Sequence, residues 1–491
     1  MINLLENGNF AILTTIICAL SSLLWPILIN PKSRLHICGI IIHSAILLYL
    51  LLLVFDGMNI LGIEYIIRLP ALNGFSLVLK TSKIGLLFAM LIVLLWPAAY
   101  IYSIGFLSVA QDKSIPRFLL FLNLSVVCGV ILSLAGDMLT MFIMYECLTL
   151  STLPLVGHNY SVHVNKAVKK YIIYLFFGSI CLWLPSILYI KSFVGDLEFM
   201  QNGIFAINPI KEEYLIVIFI FIVMGVAKAA IFPMHSWLPA AMAANYPASA
   251  LLHAVLVVNS GIYCLYKIMS EIFGHEIIYE MLRHNLWVYY ILLFGVFYSG
   301  LMAILQKTIK KILAWSTVSQ LNIIFLVMIS PGALFKNLAM INLVYHSFCK
   351  ISLFFCAGAI YSCNYATYLE EFRNSYRKYK WEFCCFVLAC FLLTGLPILG
   401  FDEYKRITLT LAEEYNNNIL MLAIIISSVF SLIYFGKIIM EMSVGDAEIL
   451  ELEQKHHQPN IYIRLSTSYC VILSLLMFKY YAEIYNYMQN F

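Results

Sequence analysis

Residues 225–267 read GVAKAAIFPMHSWLPAAMAANYPASALLHAVLVVNSGIYCLYK. An apolar run carries Lys228 and then meets Pro233 and Pro239; after Pro247 a second apolar run begins, carrying His253. Proline removes a backbone donor and clashes with the preceding turn, so a helix through this stretch is interrupted. Within a bilayer, interrupted backbone is tolerated only where it is buried in protein or lines a cavity. A lysine or histidine at that depth is costly and marks a functional site by default. The stretch therefore predicts an ion path built on a broken membrane helix.

The remainder of the chain fits that setting. It has 491 residues, 62% hydrophobic and 11% charged, with a mean hydropathy of +0.89. A soluble domain is nearer half apolar and a quarter charged. A span needs about 20 apolar residues, and roughly fourteen such runs are present. They lie near 10–29, 36–55, 83–106, 116–135, 138–156, 169–192, 214–232, 247–269, 287–305, 312–330, 337–361, 382–401, 418–440 and 465–485. The expected fold class is an all-α polytopic membrane protein forming one integral unit. The first run follows an acidic start with no small-residue cleavage site, so it reads as a retained span. Ile63–Arg68 and Phe75–Leu79 lack long apolar runs and read as short strands or turns on the outer face. Basic residues gather in alternate short loops (Lys32 and Arg34; Lys113 and Arg117; Lys166 to Lys170; Lys307 to Lys311; Arg373 to Lys380), which marks those loops as cytoplasmic and puts both termini outside.

The net charge of +4 is spread over loops, so no nucleic-acid surface is expected. The 13 cysteines fall mostly within apolar runs (Cys18, Cys147, Cys349, Cys356, Cys390) without the spacing of a zinc or iron–sulfur site. No haem, flavin or nucleotide fingerprint is present, so no cofactor and no metal is expected, and any redox chemistry belongs to a partner.

Six ionisable groups stand out inside or just beyond apolar runs. Glu146 lies midway along DMLTMFIMYECLTLSTLPL; it reads either as the partner of a lysine or as a neutral helix–helix contact. Lys228 lies just before Pro233, where it reads as a proton-loading group pulled one way by burial and the other by a carboxylate; the bland alternative is snorkelling to the interface. His253 is a relay candidate or a satisfied structural histidine. His346 and Lys350, at i and i+4, share a helix face on which both cannot comfortably be charged. Lys405 follows a break at Pro397 and a GFDEY stretch; it reads as a proton site or as part of a charged surface loop. His158, His163, His235, His456 and His457 read as solvated loop residues. A weak repeat couples Glu146, Lys228 and Pro233 in one half to His346, Lys350, Pro397 and Lys405 in the other.

The segment AKAAIFPMHSWLPAAMAANYPASALLHAV, with MYECLTLSTLPLVGH, KKILAWSTVSQL and HSFCKISLFFCAGAIY, resembles the proton-translocating antiporter subunit superfamily. That superfamily includes the D-type component of the Mrp-type multisubunit cation/proton antiporters and the antiporter-like subunits L, M and N of respiratory complex I. The likeness covers roughly residues 70 to 410 and leans toward the D branch of the Mrp type.

The resemblance implies fourteen helices with two inverted five-helix bundles and broken helices 7 and 12. The implied division is 1–110 (helices 1–3), 111–270 (helices 4–8), 271–440 (helices 9–13) and 441–491 (an acidic loop and the last helix). The implied proton pathway runs through Glu146 and Lys228, then His253 and His346/Lys350, to Lys405. The implied partners are other membrane subunits of a hetero-oligomeric antiporter or respiratory complex, the lipid bilayer, protons, and Na+ or K+. The implied location is a bacterial inner membrane in preference to a mitochondrial one. A complex I-type pumping subunit is the alternative function. Asn259 stands where the D branch commonly has lysine, and the helix-12 motif reads Pro-Ile-Leu-Gly-Phe-Asp-Glu; these departures motivate a further alternative, a non-transporting scaffold.

Overall fold

The computed structural model describes residues 8–61, 64–72, 75–159, 161–395, 400, 402–444 and 458–489. It is all-α apart from one hairpin among the described residues. Among the described residues twelve helices are long and apolar enough to cross a membrane: Asn9–Leu28, Arg34–Ile60, Lys83–Val109, Ile115–Ser133, Met138–Val156, Val162–Val194, Tyr246–Phe273, Trp287–Leu305, Ile309–Met328, Ala333–Asn364, Asn418–Ser443 and Ile461–Lys479. The two runs that drop out are the two expected to be broken. Helix Glu212–Gly225 stops at Gly225 and is followed by a single 3-10 turn, Ala227–Ala229. Helix Lys380–Thr394 stops at Gly395, and the chain resumes as helix Glu403–Glu414.

Both helices end at a glycine, for two different reasons. A Cβ on Gly225 would come within 2.6 Å of the Trp183 backbone nitrogen, so only glycine permits that approach. The first helix ends there, well before Pro233. The second ends on Gly395 in the left-handed region (φ +63°), the residue type that terminates a helix at least cost. Pro397 itself, with His456, His457 and most of the acidic loop, lies outside the described residues.

Helix starts follow the local chemistry. Asp137 caps Met138–Val156 by accepting from the Thr140 N–H at 2.7 Å, and Ser161 caps Val162–Gly178 through the Val164 N–H. Asn245 accepts from the Ala248 N–H and Pro247 sits in the first turn of Tyr246–Ala250, so the Ala-Asn-Tyr-Pro sequence is a cap followed by a pre-formed turn. Helix Arg34–Leu61 runs past Asp56, further than the apolar run suggests.

The chain divides into two compact units. One comprises residues 1–100, 113–229 and 255–281; the other comprises 101–112, 230–254 and 282–491. In the first unit, the expected outer strands form an antiparallel hairpin, Ile66–Leu72 (β1) with Phe75–Lys80 (β2), in the register Arg68↔Val78. The Val78 N–H donates to Thr140 Oγ1 at 2.9 Å and its carbonyl accepts from the Gly136 N–H at 2.8 Å. The hairpin thereby pins the start of the helix that carries Glu146. Arg68 makes a two-pronged contact with Glu198 at 2.8 and 2.9 Å, tying β1 to the loop after Val194. In the second unit, helices 287–305, 309–328 and 333–364 pack in sequence, and 94% of the most apolar stretch of 309–328 and of 333–364 is buried.

Candidate functional site

Lys228 sits in the 3-10 turn after the first break, fully buried. Its backbone N–H donates to Tyr145 Oη at 2.9 Å. Its Nζ donates to the Tyr145 carbonyl and to Thr149 Oγ1, the latter at 2.7 Å, and lies 3.2 Å from the Tyr145 ring centroid. The opposite side of the turn is held by Gly261, where a Cβ would come within 2.1 Å of the Ala229 nitrogen. The lysine thus hangs between the helix 138–156 turn that flanks Glu146 and a glycine on span 246–273. The expected Glu146–Lys228 ion pair is not formed: neither Glu146 carboxylate oxygen has a hydrogen-bond partner among the described residues. Lys228 takes a carbonyl and a hydroxyl instead, because the break brings its Nζ onto the 145–149 turn itself.

The second unit repeats that chemistry twice. Lys350, on helix Ala333–Asn364, donates to the Leu313 carbonyl at 3.3 Å and to Ser316 Oγ. Lys405, on the helix after the second break, donates to the Thr394 carbonyl and to Ser428 Oγ, the latter at 2.8 Å. Each lysine therefore has one carbonyl and one hydroxyl, and among the described residues none of the three forms an ion pair. Two acceptors suit the two N–H bonds of a neutral amine and two of the three of an ammonium. Both protonation states keep the same partners. Lys267 is the contrast: equally buried, it is paired with a carboxylate, Glu271, at 2.8 Å.

His346 and Lys405 line one cavity of about 20 Å³, with Asn342, Tyr345 and Gln320 among its walls. That is room for about one water molecule between polar groups. His346 and Lys350 are one turn apart on the same helix, and Phe354, one turn further, packs against the His253 ring at 5.0 Å between centroids. His253 lies in a five-residue π-helical segment, Leu251–Val255. Neither ring nitrogen of His253 or of His346 has a hydrogen-bond partner among the described residues. The solvated alternative for Lys405 does not hold, since its side chain is buried.

Other placements differ from expectation. His158 is buried against Phe118, and His235 is buried among Phe232, Tyr298 and Trp315, whereas the sequence context puts both in solvent. Aromatic rings from other parts of the chain cover them. Lys310 reads as a loop cation, yet its Nζ donates to the Ala244 carbonyl and lies over the Tyr246 ring. Asn322 carries no signal in the sequence, but its Oδ1 accepts from the Phe232 N–H at 3.1 Å and so holds the segment after the break. Among the described residues no group of His, Cys, Asp and Glu is placed to hold a metal ion.

A many-helix membrane protein whose interior holds lysines on interrupted helices belongs to the class of polytopic ion-pathway folds. Residues 135–431 match the family described as "NADH:quinone oxidoreductase/Mrp antiporter, TM", and the chain belongs to that family. Similar proteins include the Na(+)/H(+) antiporter subunit A1 of Staphylococcus aureus strain JH9, 25% identical over 488 residues covering 93% of this chain and 59% of the relative. The same protein from strain Newman is 25% identical over 487 residues, with the same coverage. The chain thus spans a little under three fifths of the length of these relatives. A solved structure described as the membrane-bound sulfane sulfur reductase, an archaeal respiratory membrane complex, has the same fold: TM-score 0.82, 18% identity, covering 97% of this chain and 95% of that one.

Proposed function

We propose that this chain is a proton-conducting subunit of a multisubunit monovalent cation/proton antiporter in a bacterial inner membrane, with Na+ or K+ as the exchanged cation. The observation that carries this reading is the trio Lys228, Lys350 and Lys405. Each is buried, Lys228 and Lys405 beside an interrupted segment and Lys350 within the long helix Ala333–Asn364, and each is bound by one carbonyl and one hydroxyl without a carboxylate. A lysine so held can gain or lose a proton without rebuilding its contacts. Glu146, with no hydrogen bond of its own, acts as the movable charge that favours the protonated state of Lys228 when it swings toward it. His346, sharing a water-sized cavity with Lys405, and His253, against Phe354, serve as relays. The relatives named Na(+)/H(+) antiporter subunit A1 support exchange with a monovalent cation. The D-type phrases of the sequence and these A-type relatives point to the same kind of complex.

The test is pH-gradient-driven cation exchange in membrane vesicles containing the chain with its partners. Lys228→Ala is expected to abolish exchange with the complex still assembled. Glu146→Gln, which keeps a polar group, is expected to impair it less abruptly. Unchanged exchange in Lys228→Ala rejects the reading. The family description, which joins NADH:quinone oxidoreductase to the Mrp antiporter, supports a second reading, an antiporter-like pumping component of an NADH:quinone oxidoreductase. Flavin or iron–sulfur subunits in the purified native complex favour that second reading; small membrane partners without redox groups favour the first.

A further inference from the structure

Helices Lys380–Thr394 and Ile461–Lys479 both begin at an open groove of about 650 Å³ in the second unit. Arg377 and Lys380 stand exposed in its lining. Arg464 reaches into it from the other helix, its Nε bound to Glu382 Oε1 at 2.8 Å and its Nη2 bonded to Gln458 Oε1. Glu382 is fully buried and offsets the charge of Arg464 only, so among the described residues the groove lining is cationic overall. The N-terminal ends of the two helices add partial positive charge of the same sign.

What lies below the groove decides the kind of anion. Ile461 and Leu465 line it and are 60% and 58% exposed. Ile472 and Leu476 continue the same helix face toward the bilayer core, at 55% and 46%. Trp381 stands at the rim, 52% exposed, its Nε1 donating to Ser468 Oγ at 3.1 Å so that the ring is fixed at the junction. Tryptophan at such a junction is the mark of a membrane–water interface. A free phosphate or an acidic peptide would engage the cations and leave the apolar row unused. A lipid uses both.

We infer that this groove binds an anionic phospholipid, its phosphate on Arg377, Lys380 and Arg464 and an acyl chain along Ile461, Leu465, Ile472 and Leu476. Basic pockets between membrane helices recognise headgroups in this way. The site is independent of the proton-pathway residues, so it stands or falls separately from the proposed function.

The test is native mass spectrometry of the detergent-extracted complex titrated with phosphatidylglycerol, phosphatidylcholine or inorganic phosphate. Phosphatidylglycerol is expected to bind in preference to phosphatidylcholine. The double variant Arg377→Gln/Lys380→Gln is expected to lose about thirty-fold in phosphatidylglycerol affinity, two cations at about 1 kcal/mol each, with phosphatidylcholine unaffected. Should the double variant fail to extract, Lys380→Gln alone is read for a loss of roughly five-fold. Leu465→Asn is expected to weaken the lipid without changing phosphate. Equal binding of the two lipids, unchanged binding in the cation variants, or displacement of phosphatidylglycerol by phosphate at matched concentration overturns the assignment; the last outcome would leave a simple anion site.

Discussion

Gly261→Ala tests the first break at its narrowest point. The new Cβ would sit 2.1 Å from the Ala229 nitrogen, 2.5 Å from the Lys228 carbonyl carbon and 2.6 Å from the Ala229 Cα. All three are backbone atoms, so no flexible side-chain tip can yield. Ordinary contact begins near 3.4 Å, and the turn carrying Lys228 must retreat by about 1 Å. Overpacking of this kind costs about 1–3 kcal/mol, and the backbone contacts place it toward the upper end. Alanine returns up to about 1 kcal/mol through helix propensity, which leaves a net loss of about 2 kcal/mol. The same retreat lengthens the Lys228 bonds to the Tyr145 carbonyl and Thr149 Oγ1, so proton flux is expected to fall on the order of tenfold or more. The control is Gly436→Ala, on helix Asn418–Ser443, where nothing lies within 4 Å of the added carbon. Thermal unfolding of the solubilised protein and flux in vesicles are read side by side. If Gly261→Ala matches the Gly436→Ala control in both, the close approach that shapes the Lys228 turn is not real.

Two further outcomes probe the hydrogen bonds. Thr149→Val keeps the shape but removes the hydroxyl that accepts from Lys228 Nζ; it is expected to lower stability by about 1–3 kcal/mol and to slow exchange, whereas Ser at the same position should restore both, read by thermal shift and exchange rate. Asn322→Leu leaves the Phe232 N–H without its acceptor and is expected to cost about 1–3 kcal/mol, measured by thermal unfolding; a loss no larger than that of an exposed surface substitution would remove Asn322 from its holding role.

Much of the architecture can be read from apolar runs, because a bilayer leaves the backbone few choices and Lys228, Lys350 and Lys405 each interrupt or adjoin such a run. The two broken helices are legible for the same reason. Where each one breaks is not: Gly225 and Gly395 end the helices, and Gly225 does so through a close approach to Trp183, a contact with no local signature. Ion pairing is the strongest rule available from a sequence, so it points Lys228 toward a carboxylate. Its acceptors are a backbone carbonyl and a threonine hydroxyl, and a carbonyl is present at every residue, so nothing marks Tyr145. His235 and Lys310 are illegible for a related reason: each lies in a polar, loop-like context and is turned inward by aromatic residues distant in sequence.

The central claim, that protons pass through this chain by way of Lys228, is tested most directly by a proton-flux measurement. The complex is reconstituted into liposomes with an internal pH dye, a pH gradient is imposed, and wild type is compared with Lys228→Ala at matched incorporation. The expected result is that gradient collapse on adding Na+ or K+ is fast in wild type and at the protein-free rate in Lys228→Ala. Collapse at the wild-type rate in the variant would contradict it.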